Sequence, residues 1–136
     1  MKVKSSQLDP GSVVTTWAVV WNNPSACAGP ECLDSDFANP ATMVDVVYGG
    51  GAVVKPNGKV EIEGELVEGD ASGSIFTGLG LMDAQAAEIH IIVRGHGPAI
   101  PELLAEQLGS FNGGCNPGEP NEGLCEDLQA AITPRP

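Results

Sequence analysis

Residues 13–22 read VVTTWAVVWN, and this stretch decides the fold class of the protein. Its β-branched and aromatic residues are typical of a strand, and the Asn23-Pro24 that follows is typical of a turn. Alternate residues of a strand point to opposite faces, and here both faces are largely apolar. The stretch therefore predicts a central strand in which Trp17 and Trp21 fill a core rather than form a sugar-stacking platform.

Further strands are predicted on the C-terminal side of this one. Residues 60–67 (VEIEGELV) alternate, with valine, isoleucine and leucine facing inward and three glutamates facing water. A turn at residues 55–59 (KPNGK) precedes them. The other β-like segments are residues 43–48, 52–55, 74–77, 87–94 and 127–133. The first two are separated by Gly49-Gly50-Gly51, a run that indicates a bulge or a close backbone approach.

One helix is predicted over residues 101–109, because Pro101 suits a first helical turn, three leucines form an apolar stripe and Gly109 ends it. Many short strands separated by turns, with one short helix, predict a mainly β fold, either an antiparallel β-sandwich or a barrel. Residues 1–12 are polar and turn-prone. We expect them to form a loose leader, followed by a single β-rich domain over residues 13–136.

The charge of the chain excludes several classes of partner. Its 136 residues carry 18 acidic and 6 basic side chains, for a net charge of −12, and the basic residues form no cluster. Nucleic acid and anionic membrane surfaces would be repelled. No apolar run approaches the roughly 18 residues of a membrane span, so no membrane insertion is expected. An unidentified small-molecule or protein ligand remains open, as does self-association into a homo-oligomer.

The four cysteines form two local pairs, Cys27 with Cys32 and Cys115 with Cys125, each bracketing a turn-rich segment. Four cysteines allow three connectivities, and the short brackets favour the two local disulfides. Neither spacing is that of a zinc site. Disulfides indicate a secreted or periplasmic protein. No secretory apolar segment follows Met1, so export requires that a signal peptide was already removed.

Residues 51–98 resemble the chordin-type (CHRD) domain and, more loosely, secreted bacterial proteins of unknown function. The resemblance is carried by the turn at residues 57–58, the strand VEIEGELVEG at 60–69 and AEIHIIVRGHGPA at 87–99. In the family pattern a small residue leads into His-Ile-His, and a glycine-rich loop then ends in Gly-Pro. Glu88 replaces the first histidine here, which weakens any metal site built on a His-x-His pair. The resemblance implies an extracellular antiparallel β-domain with no established catalytic activity.

Four residues form the candidate ligand-binding site. Glu88, His90 and Arg94 share one face of the predicted strand 87–94, and His96 follows in a glycine loop. One interpretation is a polar pocket with an acid/base histidine, a carboxylate that orients it and an arginine for an anion. The other is structural: a Glu88–Arg94 surface pair beside a hydrogen-bonded histidine. The structural interpretation is favoured, because motif-sized signals are frequently false.

Metal and cofactor sites find less support. His90, His96 and Glu88 match a zinc or copper site in residue type, but their spacing matches no known pattern, so no metal is expected. No calcium-loop ligand ladder exists among the acidic residues considered, which are Asp34, Asp36, Glu119 and Glu122. No nucleophile elbow and no nucleotide-binding glycine motif occurs, so no cofactor is expected and no catalytic residue can be named.

These observations predict a secreted, non-catalytic β-domain that acts in binding or as a structural module, with an unknown ligand. The alternative is a small enzyme or ligand-binding protein whose polar pocket consists of Glu88, His90, Arg94 and His96. The two hypotheses differ in whether these side chains line a cavity.

Overall fold

Antiparallel β-sheet dominates residues 1–133, which are the residues that the computed structural model describes. The strands are β1 (Lys2–Ser5), β2 (Ser12–Trp21), β3 (Val44–Val53), β4 (Val60–Glu63), β5 (Glu88–Pro98) and β6 (Glu126–Ile132). Strands β1 and β4 form one sheet, and the other has the order β3-β2-β5-β6. Helix α1 (Leu104–Gly109) follows a 3-10 turn, Pro101–Leu103. The predicted fold class, mainly β with one short helix, is confirmed.

The contacts divide the chain into two compact units. Unit 1 consists of Met1–Trp17, Gly49–Glu65 and Ile92–Ala130. Unit 2 consists of Ala18–Tyr48, Leu66–Ile91 and, in the described chain, residues 131–133. Strands β2, β3, β5 and β6 each contribute residues to both units. The last three residues of the predicted single domain, 134–136, lie outside the described residues.

The core of unit 1 forms between β1, β4 and the first half of β2. Val60 and Ile62 of β4 are buried and the alternating Glu61 and Glu63 are exposed, so the predicted alternation is confirmed in this strand. The buried apolar cluster consists of Leu8, Val14, Val54, Val60, Ile62 and Val93. Burying one such aliphatic side chain contributes about 1.5–3 kcal/mol, so this cluster is a main source of stability for unit 1.

Strand β1 corrects the expectation of a loose leader at residues 1–12. Its four residues pair with β4 in antiparallel register, with Lys2 opposite Glu63 and Ser5 opposite Val60. The Nζ of Lys2 lies 2.9 Å from a carboxylate oxygen of Glu61. The exposed glutamates of β4 therefore suit pairing with a short strand that carries lysines, because opposite charges on paired strands attract each other.

The three consecutive glycines do not interrupt β3, which runs through them without a break. A Cβ atom on Gly49 would lie 2.8 Å from the Oγ1 of Thr16, and Gly50 has a φ of +137°. A side chain at Gly49 would collide with the neighbouring strand, and the backbone conformation at Gly50 is one that other residues rarely adopt. The glycine run indicates close approach rather than the predicted division into two β-like segments.

The core of unit 2 contains Trp21, whose indole is buried against the Cys27–Cys32 disulfide and Val44. Its ring packs edge-on against Phe37, with 5.0 Å between the ring centroids. Trp17 is equally buried in unit 1. The prediction that both tryptophans fill cores is confirmed.

Both predicted disulfides are present. Cys27 pairs with Cys32 and Cys115 with Cys125, with Cα–Cα distances of 5.3 and 5.8 Å. Closing loops of this size stabilises a fold by roughly 2–3 kcal/mol in the chain-entropy model. In the described part of the chain, no helix has the length and apolar character needed to cross a membrane.

Candidate functional site

The first two candidate residues, Glu88 and His90, form a carboxylate–imidazole pair in unit 2. Glu88 opens β5 and is 1% exposed. Its Oε1 lies 2.8 Å from the Nε2 of His90 and accepts a hydrogen bond of 2.9 Å from the backbone N–H of Cys32. The disulfide loop at residues 27–32 thus covers a carboxylate that the strand pattern places on a polar face.

The geometry fixes the orientation of the His90 ring, which lies 6.0 Å from the indole of Trp21. A carboxylate on Nε2 favours the tautomer with a proton there and leaves Nδ1 with a lone pair. Among residues 1–133, Trp21 Nε1 is the one buried side-chain N or O atom without a hydrogen-bond partner. The His90 side chain is 12% exposed, and its Nδ1 makes no hydrogen bond with residues 1–133. With this geometry, the Glu88–His90 pair could act as a general base or bind a ligand weakly through Nδ1.

Arg94 lies in unit 1, where it holds the segment that follows α1. Its guanidinium stacks 3.9 Å from the ring centre of Phe111 and donates through Nε to the carbonyl of that residue at 2.8 Å. The two terminal nitrogens donate to Asn112 Oδ1 at 2.8 Å and to Asp127 Oδ1 at 2.9 Å. All three guanidinium nitrogens are engaged, so Arg94 acts structurally rather than as an anion ligand.

His96, also in unit 1, is fully buried and fully hydrogen-bonded. Its Nδ1 lies 2.9 Å from the carbonyl oxygen of Gly113, which can only accept, so Nδ1 carries the ring proton. Its Nε2 lies 2.7 Å from the Thr15 hydroxyl, whose oxygen in turn accepts from Trp17 Nε1 at 2.7 Å. Burial lowers the pKa of His96; the Gly113 bond opposes this, and the charge of Arg94 adds to the lowering. The ring is therefore a neutral structural link.

The expected glycine loop around His96 is a continuation of β5. A Cβ on Gly95 would lie 2.8 Å from the Leu128 side chain of β6, and Gly97 has a φ of +72° beside Asn121. Both glycines permit close packing inside unit 1. The structure thus places Glu88 and His90 together in unit 2, and Arg94 and His96 in unit 1 with partners of their own.

Asp45 is a buried residue that the sequence analysis did not single out. Its carboxylate accepts hydrogen bonds from the backbone N–H groups of Val46, Thr77 and Gly80 at 2.8, 2.9 and 2.7 Å. A fourth bond of 2.8 Å comes from the Ser74 hydroxyl. Burial alone raises the pKa of Asp45, but these four donors outweigh it and hold the pKa below its ordinary value of 3.8. A lone aspartate inside the apolar run at residues 44–47 was the available signal.

Within unit 2, Asp45 fixes the loop at residues 74–80, and this loop forms one wall of a groove of about 320 Å³. The apolar lining side chains are Phe37, Pro40, Met43, Val44, Phe76 and Leu79. Phe76 is 55% exposed and Leu79 37% exposed. The Phe76 ring packs edge-on against Phe37 with 5.6 Å between centroids. We call this feature the aromatic groove.

The aromatic groove lies in a unit of uniform charge. The described part of unit 2 contains no lysine and no arginine. Its exposed acidic side chains are those of Glu31, Asp34, Glu68, Asp70 and Asp83. Asp34 begins the 3-10 turn Asp34–Ala38 that carries Phe37, and residues three apart in such a turn lie on the same side. The groove therefore combines an apolar lining with a unit whose described part carries exposed carboxylates and no lysine or arginine.

One group of three metal-ligating side chains occurs within residues 1–133. His96, Cys115 and Cys125 have ligand atoms that all lie within 4.8 Å of one another, and the two cysteines form a disulfide. Of the acidic residues considered for calcium, Asp36 accepts from the backbone N–H groups of Ala28 and Leu33, which shapes the first disulfide loop.

Comparison of the chain with protein-family models, curated proteins and solved structures finds no match. The similarity to the chordin-type domain remains a prediction.

Proposed function

We propose that the protein is a secreted or periplasmic, non-catalytic binding module, and that its ligand is a basic, apolar segment of a partner protein held in the aromatic groove. The single observation that carries the proposal is the exposed Phe76 in a preformed apolar groove of a unit whose described part has no lysine or arginine. The two disulfides support an oxidising compartment. The chordin-type resemblance supports an extracellular β-domain without catalysis.

The apolar lining supplies affinity. A phenylalanine that passes from water into an interface contributes about 1.5–3 kcal/mol through its buried surface. Phe76 and Leu79 are exposed before binding, so their burial counts toward binding and not toward folding. The loop that carries them is fixed by Asp45, so little conformational entropy is lost when a partner docks.

The negative field selects the partner. The five exposed carboxylates attract a basic segment and repel an acidic one, because the described part of unit 2 has no lysine or arginine to offset them. The exposed face of the Phe76 ring is also a surface for a lysine or arginine of the partner through a cation–π contact. The proposed ligand therefore carries both apolar and basic side chains.

A binding titration tests this proposal with two synthetic probes of equal length, one with alternating leucine and lysine and one with alternating leucine and glutamate. We expect the lysine peptide to bind, with an affinity that falls as salt is raised, and the glutamate peptide not to bind. Phe76→Ser should weaken binding at least about tenfold. Val67→Ser is the matched control, because Val67 is similarly exposed in unit 2 but does not line the groove. Equal effects of both variants would refute the groove.

The second candidate is a small enzyme or ligand-binding protein built on Glu88 and His90, favoured by their 2.8 Å contact. Arg94 and His96 contribute nothing to it, since each uses its polar atoms within unit 1. His90→Gln retains a donor toward Glu88 but removes the basic nitrogen. If this variant abolishes peptide binding while Phe76→Ser does not, the pair rather than the groove is the site.

A further inference from the structure

The Cys115–Cys125 disulfide lies against a buried imidazole in unit 1. Cys125 Sγ is 3.4 Å from His96 Nδ1, and the ligand atoms of all three residues fall within 4.8 Å. Ligand atoms on one tetrahedral zinc ion, with Zn–S bonds of about 2.3 Å and Zn–N bonds of about 2.0 Å, lie about 3.5–3.8 Å apart. Two features close the site to such an ion: the two sulfur atoms are bonded to each other, and the Gly113 carbonyl oxygen lies 2.9 Å from Nδ1, where the ion would sit.

The segment around this disulfide has anchors that do not depend on it. Arg94 holds the carbonyl of Phe111 and the side chain of Asn112. The amide of Asn121 donates to the carbonyls of His96 at 2.9 Å and Pro98 at 2.8 Å. The residues that Arg94 holds precede Cys115 in the chain, and Asn121 lies between Cys115 and Cys125. We therefore expect both thiols to stay near the imidazole when the disulfide is reduced.

We propose that the reduced protein binds one zinc ion through His96 Nδ1 and the thiolates of Cys115 and Cys125, and that the disulfide closes this site. Two thiolates and an imidazole are a donor set that zinc prefers, and three protein ligands leave a fourth position for water or an external ligand. This proposal concerns unit 1 and is independent of the aromatic groove.

The redox step balances with a dithiol as reductant. The dithiol gives two electrons and two protons, the S–S bond breaks, each cysteine gains one hydrogen, and the reductant closes to its own disulfide. Zinc then displaces the two thiol protons to solvent. Oxidation by a disulfide of matching potential reverses both steps and expels the ion.

Thr15 allows His96 to present Nδ1 to the metal. In the oxidised protein Nδ1 donates to the Gly113 carbonyl oxygen, 2.9 Å away, so metal binding requires that this carbonyl move aside and that the ring proton sit on Nε2. That nitrogen is 2.7 Å from Thr15 Oγ1, and a hydroxyl oxygen with two lone pairs accepts from it and from Trp17 together. The hydrogen-bond acceptor that holds the other ring nitrogen of a metal-bound histidine is therefore already in place.

The test uses the full chain with Cys27→Ser and Cys32→Ser, so that only the second disulfide responds. After anaerobic reduction with dithiothreitol and its removal, we expect cobalt(II) to give thiolate charge-transfer absorption that saturates at one ion per chain and is displaced by zinc. The same protein left oxidised should give none. His96→Gln should weaken cobalt binding at least tenfold, and His90→Gln, at the other histidine, should leave it unchanged.

A second measurement keeps the proposal testable if His96→Gln does not fold. Nitrogen NMR of the reduced, zinc-loaded protein should show His96 with zinc on Nδ1 and the proton on Nε2, the reverse of its oxidised tautomer. Absence of charge-transfer absorption, or an unchanged His96 tautomer with zinc present, would overturn the assignment.

Discussion

Replacing Asp45 with alanine is expected to lower the free energy of unfolding by about 3–4 kcal/mol, because several buried donors lose their acceptor at once. Three backbone N–H groups and one hydroxyl converge on this carboxylate. Urea unfolding measures the effect as a fall in the midpoint at unchanged slope. Asp70→Ala is the matched control, since that exposed carboxylate shapes only a local turn and its loss should leave the midpoint nearly unchanged.

The pH dependence of the Asp45 effect has a defined sign. Its pKa in the folded protein lies below the ordinary value of 3.8, so the unfolded state binds the proton more readily. The stabilisation is complete above the unfolded pKa and is lost as the pH falls through the folded one. The stability difference between the wild type and Asp45→Asn should therefore be constant near neutrality and shrink below pH 3.8. A difference that grows on acidification would contradict the assignment.

Thr15→Val is expected to cost about 2–4 kcal/mol although the two side chains have nearly the same shape. The Thr15 hydroxyl joins Trp17 Nε1 to His96 Nε2 through two bonds of 2.7 Å in a fully buried site. Valine removes the link and leaves the imidazole nitrogen facing a methyl group. Thermal or urea unfolding measures the loss.

The neighbouring residue provides the control for this prediction. Thr16 is equally buried, but its hydroxyl makes one long bond of 3.4 Å to the carbonyl of Gly50. Thr16→Val should therefore cost less than about 1 kcal/mol. Thr15→Ser, which keeps the hydroxyl, should recover most of the lost stability. Equal costs for the two valine variants would show that the Trp17–Thr15–His96 link is not a stabilising element.

Local patterns predicted the features that depend on local chemistry. The apolar stretch of β2 and the alternation in β4 each reflect a two-residue period that can be read without knowing the partner strand. The two disulfides bracket short, turn-rich segments, so proximity in sequence made the pairing predictable.

The features that were not predicted depend on contacts distant in sequence. Strand β1 is too short for a periodic signal, and its pairing with β4, with Lys2 in contact with Glu61, depends on a strand more than fifty residues away. The alternation in β5 places Glu88 on a polar face. The disulfide loop at residues 27–32, more than fifty residues earlier in the chain, covers it. In sequence, Gly95 and Gly97 are typical of a loop. In the structure they make room for Leu128 and Asn121, which pack against them.

The groove itself was missed for the same reason. Phe37 and Phe76 are far apart in sequence, and each alone is an isolated aromatic residue in a polar segment. The carboxylate that fixes one wall belongs to a strand, and the donors that it binds belong to a later loop. Only the folded chain brings them together.

The way in which the two units are interleaved determines how the protein can be dissected. The backbone passes from one unit to the other after residues 17, 48, 65, 91 and 130, which makes five crossings. No single cut, truncation or internal start site therefore yields either unit as an uninterrupted polypeptide. A fragment library that samples every pair of end points should give no soluble, folded piece that contains only one of them.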